Sequence, residues 1–121
     1  MKLETLLYEK IRDIIPEKSE KTIFFGAISQ TSYEMFFYAF IDGKPVQCYE
    51  LAEQGVMDEN ELAEVFESVV HIVKESKAFD EGKMNIVTVQ VDKSGIELDV
   101  EHVDRDERMY RIKKGWEDKY I

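Results

Sequence analysis

The sequence holds one cysteine, Cys48, and two prolines in 121 residues. A lone thiol excludes an intrachain disulfide and any C-x-x-C spacing, and it suits a reducing, cytoplasmic setting. No apolar run is long enough to cross a bilayer. The opening Met1-Lys2-Leu3-Glu4 passes directly into a charged helical pattern, so no cleaved leader and no membrane contact are expected. Bases are scarce: 16 Lys and Arg stand against 26 Asp and Glu, for a net charge of −10. Nucleic-acid binding needs cations that displace counterions from phosphates, and this balance argues against it. Missing too are a glycine-rich phosphate loop, H-E-x-x-H, a nucleophile elbow and any clustered metal-ligand spacing. No cofactor and no metal are expected. His71 and His102 are expected to be structural, and Cys48 to be a buried thiol, since it acts as a nucleophile only where a fold brings a base to it.

What is present is periodicity. Leu3, Leu6, Leu7, Ile11, Ile14 and Ile15 form one helical stripe over residues 3 to 15, which Pro16 stops. Lys21 to Ile28 and Tyr33 to Ile41 then read as strands, the second nearly apolar on both faces and hence central. Asp42-Gly43 signals a two-residue hairpin, returning as a strand over Lys44 to Leu51 whose Pro45 argues for a sheet edge. Asp58, with Glu61 as capping-box partner, opens a helix carrying Leu62, Val65, Phe66, Val69, Val70 and Val73 to about Ser76. Asn85 to Val91 returns to strand, with Val87, Val89 and Val91 on one face. Asp92-Lys93-Ser94-Gly95 turns it into a last strand, and beyond Asp104 a helix carries Met109, Ile112 and Trp116, with Gly115 an interruption or end. The expectation is one α+β domain over residues 1 to 121, in α-β-β-β-α-β-β-α order, with helices packed on an antiparallel sheet of about five strands.

The negative charge is uneven. Residues 34 to 67 carry nine acids and one base, and residues 92 to 104 carry five and one. In the first block, Asp58, Glu59, Glu61 and Glu64 complement the positive end of a helix dipole, which accounts for them. In the second, Ile96, Leu98 and Val100 alternate with Glu97, Asp99 and Glu101, so one strand face is apolar and the other acidic. Same-face carboxylates about 7 Å apart repel by ~0.6 kcal/mol in water, a load that folding does not require. Such a row is either a solvated face or a surface for a cationic partner. Glu97 and Glu101 stand roughly 13 to 14 Å apart along the strand, beyond the ~5 to 9.5 Å of a general acid and base pair, so an enzyme is not expected. Tyr33, Tyr38, Tyr49 and Tyr110 are available to decorate an acidic interface.

Four motifs carry a resemblance: L-L-Y-E-K-I-R-D-I-I-P at Leu6 to Pro16, T-I-F-F-G-A-I, F-F-Y ahead of Asp42-Gly43, and V-D-K-S-G-I-E-L-D-V-E-H-V-D. Together they resemble the YezG-like immunity proteins, small acidic antitoxins that neutralise polymorphic bacterial toxins, including those of contact-dependent inhibition. The segments Glu50 to Met57 and Ala78 to Met84 depart from that pattern, lacking its Tyr- and Asn-containing stretch ending in I-P and its Trp before the fourth strand. The resemblance implies a cytoplasmic protein that binds and blocks a cognate toxin C-terminal domain, basic and of nuclease type, as monomer or dimer. It further implies Glu97, Asp99, Glu101 and Asp104 as toxin-binding residues. The alternative is a small acidic secretion chaperone similar to those of type III systems, which dimerise and hold an extended effector segment. A third reading, an enzyme with a Cys48 nucleophile, requires a histidine beside that thiol.

Overall fold

A computed structural model describes residues 2 to 121. The leucine and isoleucine stripe folds as α1, Leu3–Ile11, and tightens into a 3-10 turn over Arg12–Ile14 before Pro16; Leu7, Ile11 and Ile14 are buried. The single helix expected over residues 3 to 15 thus ends in a tighter last turn, where the extended conformation of Ile15 ahead of proline closes it. β1, Lys21–Ile28, and β2, Tyr33–Ile41, follow as expected. Asp42 (φ 53°) and Gly43 (φ 76°) both adopt the left-handed conformation, matching the twist of a two-residue hairpin into β3, Lys44–Gln47.

The third strand is shorter than its sequence pattern suggests. From Cys48 the chain is helical, forming α2 over Cys48–Glu53. A helix places Cys48 and Leu51 on one face, three residues apart, and both are buried. A strand would point them to opposite sides of the sheet. α3 spans Glu59–Glu75, β4 Met84–Asp92, β5 Gly95–Val103 and α4 Met109–Tyr120. Asp58 caps α3, its Oδ1 accepting from the Asn60 N–H at 2.8 Å rather than closing a box with Glu61. Gly115 does not end α4, which continues to Tyr120.

The fold is α+β, with a five-stranded antiparallel sheet in the order β3-β2-β1-β4-β5. β1, not β2, is the middle strand and has seven buried residues in a row, while β2 lies beside it in the sheet interior. Cross-strand register separates two faces. Phe24, Phe37 and Val89 lie on one, covered by α1 packed against α3. Phe25, Phe36 and Thr88 lie on the other, where α4 packs Trp116 edge-on against the stacked rings of Phe25 and Phe36, 5.2 and 5.6 Å away. The Trp116 indole N–H donates to Thr88 Oγ1 at 2.9 Å, so its one polar atom is satisfied inside the core. Asn85, fully buried, donates to Ile28 O and Asp80 O and accepts from the Asp80 N–H, tying β4 to β1 and to the turn before it. Among the described residues, no helix is long and apolar enough to cross a membrane.

Candidate functional site

β5 alternates as its sequence implies, with Ile96, Leu98 and Val100 half-buried and Glu97, Asp99 and Glu101 exposed. Its apolar side chains complete the face under α1. The carboxylates fall on the opposite face, beside α4, and not on a bare solvated surface. Their register partners on β4 are Gln90, Thr88 and Ile86.

That placement gives the row a neighbour which strand alternation could not indicate. Asp99, Glu101, Arg111, Trp116, Lys119 and Tyr120 line a cleft of about 240 Å³ between β5 and α4. A second hollow of about 270 Å³ continues past Glu97 and Lys119. Lys119 Nζ lies 4.0 Å from Glu101 Oε1, a loose and exposed pair. Lys119 and Tyr120 become legible once α4 is known to run through Gly115, since Trp116, Lys119 and Tyr120 then share one helical face.

The four expected site residues therefore divide. Asp104 lies past the strand, and Lys83 Nζ holds it at 2.8 Å. Hydrogen bonding and charge within that pair raise the Lys83 pKa and lower the Asp104 pKa. Glu101 faces Lys119. Glu97 and Asp99 make no ion pair among the described residues. Three of the nine acids of the first block have local duties instead: Glu34 pairs with Lys113, Asp42 forms a turn and Asp58 caps a helix.

The tyrosines are not gathered at this site. Tyr49 donates its hydroxyl to Met35 O at the β2 and β3 side, three strands from β5, and Tyr120 is the tyrosine that lines the acidic cleft. Cys48 and His102 are no dyad. One follows β3 and the other lies on β5, four strand spacings or about 19 Å apart. Burial pushes the Cys48 thiol up to about 11, the opposite of an activated nucleophile. His102 Nε2 is bonded to Ala78 O at 2.7 Å, and His71 lies exposed on α3 with Nε2 3.1 Å from Glu75 Oε1. Among the described residues, no three His, Cys, Asp or Glu side chains are grouped to hold a metal ion.

No protein-family model matches the chain, and no curated protein shows significant similarity to it. The likeness to YezG-like immunity proteins rests on the four motifs alone.

Proposed function

We propose that this chain is an immunity protein that acts in the cytoplasm, where it binds and neutralises a cognate toxin domain with a basic, nuclease-type surface. The observation that carries the reading is the row of Glu97, Asp99 and Glu101, held on a regular strand and largely unneutralised by the protein's own cations. A nuclease approaches phosphates through cationic groups, and a rigid carboxylate row presents that surface with a substitute for its substrate. Opposite fields speed encounter, and charge-assisted hydrogen bonds hold the complex. The chain is not proposed to catalyse a reaction.

The test is titration of a purified toxin domain shown by co-purification to bind this chain. Asp99→Lys with Glu101→Lys is expected to weaken binding by at least about 100-fold and to flatten its salt dependence. Glu64→Lys with Glu67→Lys, an equal charge change on α3, is expected to cost less than about tenfold. Equal losses from both double variants would reduce the effect to net charge and remove β5 as the site.

The open edge of β5 also suits the secretion-chaperone reading, in which an extended effector segment is held along it. A monomer by light scattering removes that reading, because it requires a strict dimer, whereas the immunity reading accommodates either state.

A further inference from the structure

β5 is a sheet edge that is neither shortened, bulged nor broken by proline. It has nine residues, no proline and an unbroken register with β4, and none of its residues is buried. β3, at the other edge, has four residues and a proline. Natural edges are shortened, bulged, covered or charged to prevent pairing with another chain, and β5 has only charge.

The hydrogen-bonding phase of the ladder identifies which backbone groups are free. Lys93-Ser94 is a two-residue loop, so Asp92 and Gly95 close the hairpin and exchange both of their backbone bonds. Counting along the strand, Glu97, Asp99 and Glu101 bond inward to β4, while Ile96, Leu98 and Val100 turn their N–H and C=O groups outward. The far end of the sheet gives the same phase. Ser29 N–H donates to Ser32 O at 2.9 Å, and alternation carried from there across β1 and β4 reaches β5 in agreement. Among the described residues, the outward groups of Ile96, Leu98 and Val100 bond to no other segment.

We infer that β5 receives an extended segment of a basic protein as a sixth strand, one in which Lys or Arg alternates with β-branched apolar residues. This deepens the immunity reading and rests on it. Added residues opposite Ile96, Leu98 and Val100 form the hydrogen-bonded pairs. Those opposite Glu97, Asp99 and Glu101 fall in non-hydrogen-bonded pairs, where side chains approach most closely. Cations at these positions meet one carboxylate each, and the apolar residues between them extend the face under α1. A second copy is the wrong occupant. Antiparallel pairing of two β5 strands keeps corresponding faces together and sets carboxylate against carboxylate at about 4.5 to 5.5 Å between Cβ atoms.

The test uses the peptide T-K-V-K-V-K-T and its rearrangement K-K-K-V-V-T-T, equal in charge and composition, with amide exchange read by NMR. With the alternating peptide, the Ile96, Leu98 and Val100 amides are expected to exchange at least about tenfold more slowly, whereas those of Glu97, Asp99 and Glu101 are already bonded to β4. The rearranged peptide is expected to leave the three outward amides fast. Failure of the alternating peptide to bind, binding without protection, or equal protection by both peptides overturns strand addition. So does protection that appears without peptide and grows with protein concentration, which would assign the edge to a second copy. The acidic-surface reading fails separately, if Asp99→Lys with Glu101→Lys leaves affinity for the toxin domain unchanged. Loss of that affinity with no amide protection by either peptide retains the surface and removes the strand.

Discussion

At the first residue of α2, Cys48 is fully buried, and its thiol is shifted from an ordinary 9.0 to about 11 by loss of solvation. The folded protein therefore holds this proton more tightly than the unfolded chain does. Such a group stabilises fully below its unfolded pKa, and the contribution is lost as pH rises through the folded value. Between pH 9 and 11 the expected loss is about 2 to 3 kcal/mol. Tyr38 and Tyr49, raised chiefly by burial, add in the same direction at higher pH. Urea midpoints across that window check this, and Cys48→Ala should show a shallower decline. An equal decline in the variant would place the titration elsewhere. The sequence permits a buried thiol but does not reveal Asn85, whose role depends on Ile28 O, 57 positions away in the chain, and on the backbone of the turn beside it. A polar residue in a valine-rich strand reads as an ordinary surface position until its partners are in place.

Among the elements, strands were more legible than helix ends. β1, β2, β4 and β5 follow alternation and composition closely, because each side chain reports its face directly. Residues 48 to 51 misled because Cys48, Tyr49 and Leu51 suit a strand as well as they suit one helical turn, and only packing against β2 and β3 decides between them. Gly115 misled in the other direction, since glycine is a frequent helix stop but here occupies an exposed interior position of α4 with ordinary helical geometry. A Cβ built there meets nothing within 4 Å. Gly115→Ala should therefore stabilise the protein by about 0.5 to 1 kcal/mol, by restricting the unfolded chain while leaving α4 in place. A rise in the urea midpoint with unchanged fluorescence of Trp116 is the expected result. A red-shifted emission would instead mean that α4 had left the sheet. The same helix explains why only part of the acidic site could be read from sequence. Alternation locates Glu97, Asp99 and Glu101 on one face, but the crossing of α4, which brings Lys119 to Glu101, is set by Trp116 docking on Phe25, Phe36 and Thr88.

For the whole molecule, a net charge of −10 is the dominant electrostatic fact. Only five of the 26 carboxylate side chains pair with Lys or Arg among the described residues, and every pair is substantially exposed. Exposed pairs contribute about 0 to 1 kcal/mol each, whereas the remaining carboxylates repel over distances that low salt leaves unscreened. Screening lengths fall from about 30 Å at 0.01 M to about 8 Å at 0.15 M. That removes repulsion between separated carboxylates while weakening pairs at 2.8 to 4.0 Å far less. Thermal stability should therefore rise with NaCl over this range, by about 3 to 6 °C for about 1 kcal/mol of relieved repulsion. Circular dichroism melts at the two ionic strengths measure it. Affinity for a basic toxin domain should fall over the same range, because the carboxylates that repel one another in the free protein attract the partner. Opposite responses of stability and affinity to one salt series would tie both to the unpaired acids. A melting temperature that fell along with affinity would assign the stability to the ion pairs, and would mean that the acidic row carries no repulsive load for a partner to relieve.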